Sequence, residues 1–132
     1  MSAKPINSYK CYYFLGIGGI GMSALAKYFH HYEKKVEGYD RTPSIITDEM
    51  IQTGIDCHFN EDTQKVKNLL ESYSTEELII IYTPAIPDSN QEKILLEKSG
   101  YTMLKRAEVL GRISNQHKTI AIAGTHGKTT TT

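Results

Sequence analysis

Two glycine-rich segments of this 132-residue chain have the residue types and spacing to handle phosphate. The first, Gly16-Ile17-Gly18-Gly19-Ile20-Gly21, fits GxGxxG. Gly16 permits a tight turn, Gly18 lets the backbone approach a pyrophosphate, and Gly21 allows close helix–strand packing. A helix opening here aims free N–H groups and its positive dipole end at the phosphates. Asp40 follows 19 residues after Gly21 and is placed to accept a hydrogen bond from a ribose hydroxyl. NAD, FAD and UDP-sugars all carry the ribose and diphosphate this pattern fits. Arg41, beside Asp40, faces either a phosphate or solvent.

The second segment is Ala123-Gly124-Thr125-His126-Gly127-Lys128-Thr129-Thr130. It ends in Gly-Lys-Thr, the core of a phosphate-binding loop. Backbone N–H groups from Gly124 to Thr130 would cradle the phosphates of ATP. Lys128 would set its ammonium between the β- and γ-phosphates, and the Thr129 hydroxyl would ligate Mg²⁺. The generic GxxxxGK[ST] pattern needs a glycine where this chain has Ile122. His126 is either an exposed turn residue or a contact beside the γ-phosphate.

Loops of this kind work only at the ends of buried strands. Cys11–Leu15 is an apolar, aromatic run closed by glycines. Val36–Tyr39, Ile55–Phe59, Leu78–Tyr82, Tyr101–Leu104 and Thr119–Ala123 repeat the theme, and such runs predict buried parallel strands. Between them the apolar period becomes helical. Leu25, Tyr28, Phe29 and Tyr32 fall at i, i+3, i+4 and i+7. Ile46, Met50 and Ile51 mark a second helix, Val66, Leu69 and Leu70 a third. Ile94, Leu95 and Leu96 mark a fourth, with Asp88 or Ser89 as its N-cap and Gly100 as its stop. A shorter helix is predicted over Ala107–Ile113. Alternating strands and helices predict an α/β fold, a Rossmann-like parallel sheet of about five strands with helices on both faces. Thr119–Ala123 and the second glycine loop would begin a following domain.

Composition narrows the class. Hydrophobic residues at 39% and charged residues at 23% suit a globular domain rather than a disordered chain. Fifteen basic residues balance fifteen acidic ones, which argues against nucleic acid or an anionic membrane as the main partner. The longest apolar run, Leu78–Tyr82, is far short of the ~20 residues a spanning helix needs. Met1–Pro5 leads into no signal-peptide core. Cys11 and Cys57 form no CxxC pair and read as reduced core thiols of a cytoplasmic protein.

Phe14–Ser23 together with Gly124–Thr131 resembles the Mur ligase family, and the resemblance covers Tyr12 to Thr132. Gly38-Tyr39-Asp40, Ala85-Ile86-Pro87 with Asn90 and Glu92, and Arg106-Ala107-Glu108 agree with it. The resemblance implies a three-domain, ATP- and Mg²⁺-dependent enzyme of peptidoglycan synthesis, with UDP-N-acetylmuramate and L-alanine as substrates. A tripeptide-recycling branch of the family is the second choice. ATP would phosphorylate the lactyl carboxylate, and the amine would displace phosphate from the acyl carbon. Residues 1–9 would be a flexible tail, 10–117 the UDP-sugar-binding domain and 118–132 the start of the ATP-binding domain. Gly16, Gly18, Gly19, Ile20 and Gly21 would cradle the diphosphate. Asp40 would meet the uridine, Thr83, Ala85 and Ile86 would line the cleft, and Arg106 would reach the sugar or its phosphates. Lys128 and His126 would carry the catalytic roles.

Two positions depart from the family's pattern. Thr83-Pro84 stands where Ser-Ser is common, and Pro84 removes a backbone N–H. Asn60-Glu61 stands where Gly-His is common, and the sequence assigns neither residue a role. His58 reads as a core or edge residue. A strand and phosphate loop followed only by threonines predict an N-terminal piece of a longer protein. Such a piece would bind UDP-sugar weakly, bind ATP poorly and catalyse nothing alone. Two other readings explain the first loop but not the second: a nicotinamide-dependent oxidoreductase domain, and a non-catalytic nucleotide-sensing module.

Overall fold

The computed structural model describes the backbone of residues 5–124 and the side chains of residues 5–115. Five strands, β1 (Cys11–Leu15), β2 (Lys35–Tyr39), β3 (Asp56–His58), β4 (Leu78–Tyr82) and β5 (Thr102–Lys105), form one parallel sheet in the order β3-β2-β1-β4-β5. Five helices connect or follow them: α1 (Ile20–His31), α2 (Ile45–Thr53), α3 (Thr63–Ser72), α4 (Gln91–Ser99) and α5 (Arg106–Gly124). The expected α/β class and five-stranded sheet are therefore present.

β1 and β4 are apolar throughout because both of their faces are covered. Along β1 and β4, Tyr12, Phe14, Ile79 and Ile81 point to one side and pack with Leu25 and Phe29 of α1, Met50 of α2 and Val109 of α5. Cys11, Tyr13, Leu15, Leu78 and Ile80 point to the other and pack with Val66 and Leu69 of α3 and Leu96 of α4. The period-two alternation of a strand divides one continuous apolar run between two cores. Tyr12 stacks on Phe29 with ring centroids 4.0 Å apart. Burial pushes the Cys11 thiol up to about 12 and the Cys57 thiol up to about 11, so both stay protonated at neutral pH.

Local signals set the helix ends. Ser44 and Thr47 close a capping box on α2, and Gly54 ends it at φ +106°. Asp62 caps α3 by accepting from the Lys65 amide. Asn90, not Asp88 or Ser89, caps α4 by accepting from the Lys93 amide. Gly100 stops α4 at φ +82°.

Three expectations need correction. Thr119–Ala123 is not a strand, because α5 runs through it to Gly124. A strand must find partners for its backbone groups on a neighbour, whereas a helix satisfies them internally. No partner strand stands beside these residues among those described. For the same reason the helix predicted over Ala107–Ile113 is longer and runs from Arg106 to Gly124. Residues 5–9 are not a loose tail. Ile6 and Tyr9 are buried, and the Tyr12 hydroxyl donates to the Ile6 carbonyl at 2.7 Å. Residues 125–132 lie outside those described.

Gly38 tests the tightness of this packing. A Cβ there would stand 2.5 Å from the Phe14 carbonyl oxygen and 2.8 Å from Ile17 Cδ1. Gly38→Ala is expected to cost about 3 kcal/mol of stability, because the backbone it meets cannot retreat. A Cβ at Gly111, in α5, meets nothing within 4 Å. Gly111→Ala is expected to stabilise by about 0.5–1 kcal/mol. Urea unfolding of the two variants checks both signs.

Candidate functional site

The strand order reverses between β1 and β4, so the loops leaving their C-terminal ends diverge and open a crevice. A cleft of about 660 Å³ lies there, walled by the glycine loop, the end of β2, Glu61, the turn after β4, Asn90 and Arg106.

The glycine loop is pinned from beneath. The Gly16 and Ile17 amides both donate to the Tyr39 carbonyl, at 2.7 and 3.0 Å. Gly16 holds φ +95°, a conformation that side chains rarely adopt. The Ile17 side chain is fully buried against Gly38. Asp40 then braces the loop: its Oδ2 accepts from the Gly18 amide at 2.8 Å and its Oδ1 from the Thr42 amide at 3.0 Å. Gly18 consequently stands behind the cleft and does not line it. A Cβ on Gly18 would lie 2.9 Å from Asp40 Oδ2. The Gly18 amide, expected on a diphosphate, donates to Asp40 in this structure. The amides left to face a ligand are those of Ile20, Gly21 and Met22, the first turn of α1, which have no acceptor inside the helix.

Arg106 adds charge at the same place. It opens α5, and its Cδ, Nε and Nη1 lie 2.9–3.0 Å from where a Gly21 Cβ would stand. A side chain at Gly21 would push this guanidinium away from α1. Among the described residues no carboxylate pairs with it. A cation beside the positive end of a helix is unfavourable until an anion arrives. Arg106 and the α1 amides therefore form an anion site of the kind a diphosphate fills.

The opposite wall is anchored by a buried carboxylate. Glu92 is fully buried and takes three donors: the Tyr13 hydroxyl at 2.5 Å, His58 Nε2 at 2.6 Å and the Asp62 amide at 2.9 Å. His58 Nδ1 is buried with no partner among the described residues. A bare ring nitrogen is cheaper there than an unsatisfied N–H, so the proton sits on Nε2. Burial, then the Glu92 charge, raises the Tyr13 pKa far above its ordinary value, keeping that hydroxyl a donor. The network fixes the loop between β3 and α3, which carries Glu61 into the cleft. Glu61 Oε1 accepts from the Gln91 amide at 2.7 Å. Burial also raises the Tyr39 pKa, with Glu61, Glu92 and Asp40 adding to it.

The structure brings Gly16, Gly19, Ile20, Gly21, Asp40, Thr83, Ala85, Ile86 and Arg106 to one cleft. Pro84 lies in a turn whose Ile86 amide is spent on the Thr83 carbonyl at 3.1 Å. Gly124 is the last residue of α5 rather than part of a loop after a strand. Thr125, His126, Gly127, Lys128, Thr129 and Thr130 lie outside the described residues. Tyr39, Glu61 and Asn90 line the cleft and were missed as site residues. Their signal was positional: each stands at or just beyond an element on the sheet's C-terminal side.

Glu92→Gln puts an amide NH₂ against groups that already donate. The expected cost is about 2 kcal/mol, read from urea unfolding. An unchanged midpoint would show that the network contributes nothing.

Residues 11–118 match the family described as Mur ligase family, catalytic domain. The chain is 50% identical over 127 residues to a Flavobacterium johnsoniae protein named UDP-N-acetylmuramate–L-alanine ligase, covering 96% of this chain and 27% of that relative. It is 49% identical over 119 residues to a Porphyromonas gingivalis protein of the same name, covering 90% and 26%. The chain thus spans about a quarter of the length of these curated relatives. Among solved structures, the UDP-N-acetylmuramate–alanine ligase of Thermotoga maritima superposes with a TM-score of 0.67 at 23% identity, over 81% of this chain and 23% of that one. That likeness shows the shared fold.

Proposed function

The chain belongs to the Mur ligase family, and from that premise we propose that it forms the nucleotide-sugar domain of an ATP-dependent ligase joining L-alanine to UDP-N-acetylmuramate. The observation that carries this reading is the unpaired Arg106 guanidinium held across Gly21 at the open first turn of α1. That arrangement suits a multiply charged anion, and the cleft leading from it is large enough for a nucleoside. The names of the relatives at 50% and 49% identity support the choice of a UDP-linked muramic acid.

In the ligase as a whole, ATP activates the lactyl carboxylate as an acyl phosphate. The alanine amine attacks the acyl carbon, the carbon–oxygen bond to phosphate breaks, and an amide forms. Lys128, His126 and Thr129 are the residues of this chain proposed to serve that step, with Mg²⁺ supplying charge neutralisation. The described residues do an earlier job. They hold the UDP end of the substrate so that its sugar and lactyl group project from the cleft. Residues 118–132 are proposed to begin the ATP-binding domain, and the reaction is proposed to take place in the cytoplasm. Among the described residues no helix is long and apolar enough to cross a membrane.

Calorimetry with UDP-N-acetylmuramate, UDP, NADH and ATP tests this reading on the 132-residue chain. The UDP compounds are expected to bind, and Arg106→Ala is expected to weaken them about tenfold, the loss of one charge-assisted contact. Turnover of ATP with L-alanine is not expected from this chain alone. NADH binding without UDP binding would overturn the reading.

A further inference from the structure

The anion site occupies one end of the cleft, and the sheet order dictates what lies beyond it. The phosphate-facing amides follow β1, Asp40 follows β2 and Glu61 follows β3. These strands are neighbours, about 4.8 Å apart. A nucleotide with its diphosphate over α1 and its ribose over Asp40 carries its base on towards Glu61, about 10 Å from the phosphate end.

Two polar groups meet at that position. Glu61 holds the Gln91 amide through Oε1, and no further partner is seen for its Oε2 among the described residues. Asn90, the residue before Gln91, gives its Oδ1 to the Lys93 amide, which leaves its Nδ2 hydrogens as donors. Asn90 is 3% exposed yet lines the cleft. Glu61 is held from two sides, by the Gln91 contact and by the Asp62 amide on Glu92. An acceptor and a donor thereby line the same cleft, tied to the start of α4 through Gln91 and Lys93. Uracil presents the complement, an N3–H donor beside a carbonyl acceptor. Cytosine presents a bare N3 beside an exocyclic NH₂, the inverse of what this wall accepts.

We propose that Glu61, with Asn90 beside it, is the base-reading residue of this cleft, accepting the N3–H of a uracil ring and rejecting cytosine. The inference rests on the nucleotide-sugar reading above and adds to it the residue that selects the base. Glu61 is exposed at the cleft rim, so its substitution leaves the fold intact.

The test is calorimetry of the 132-residue chain with UDP and with CDP, for the unmodified chain, Glu61→Gln and Arg106→Ala. The unmodified chain is expected to prefer UDP by about tenfold or more, the value of one charge-assisted hydrogen bond. Glu61→Gln keeps an oxygen for the Gln91 amide but turns NH₂ towards the base. The preference is expected to fall to near parity or reverse. Arg106→Ala is expected to weaken both nucleotides alike and leave their ratio unchanged. Glu61→Gln weakening both alike would place Glu61 on the ribose and overturn the proposal, as would equal binding of UDP and CDP by the unmodified chain. In either case the nucleotide-sugar reading would stand. Binding of neither nucleotide by the unmodified chain would overturn that reading, and the base assignment with it.

Discussion

One buried carboxylate ties the outer half of this molecule together. Glu92 has no access to water and meets donors from β1, from β3 and from the start of α3, while it belongs itself to α4. A carboxylate in that position is tolerable only because every donor is in place. Apolar packing alone would let α3 and α4 slide over the sheet, since Leu and Val contacts have little direction. Three short hydrogen bonds to one group do have direction. They set where the β3–α3 loop leaves the sheet, and hence what the cleft wall presents.

The inner half is organised on a different principle. There the glycine loop is shaped by the absence of side chains and by backbone bonds to Tyr39. Gly38 makes room for Ile17, and Gly21 makes room for Arg106. Asp40 closes the arrangement from β2. The cradle is thus formed before any ligand arrives, and binding does not have to meet the entropy of ordering it. The outer wall is preorganised by a charged network and the inner wall by steric allowance.

Much of this was legible in the sequence. The six residues Gly16–Gly21 announce their loop, and β1 and β4 end where their apolar runs end. Of the residues that line the cleft, Asp40 follows from its spacing after the glycine motif, while Thr83, Ala85, Ile86 and Arg106 follow only from the family resemblance. A one-dimensional pattern does not show that Asp40 reaches back to the Gly18 amide. Glu61 and Glu92 gave no local signal, since their roles depend on contacts about thirty residues away. Thr119–Ala123 has the composition of a strand. Composition records a preference for a pleated, half-buried surface and does not supply the neighbour that creates one.

The strand order also bears on how the cleft comes into being. β1–β2 and β4–β5 join strands that follow one another in the chain, whereas β1–β4 joins strands separated by two whole helix–strand units and a further helix. Closing that loop costs the most chain entropy of any pairing in the sheet. A chain that has formed β1–β2 and β4–β5 but not yet β1–β4 possesses the glycine loop on one half and Arg106 on the other, with no crevice between them. The pairing most expensive in loop entropy is therefore the one that creates the anion site, so recovery of the proposed nucleotide binding during refolding would report on the joining of the two halves rather than on the folding of either.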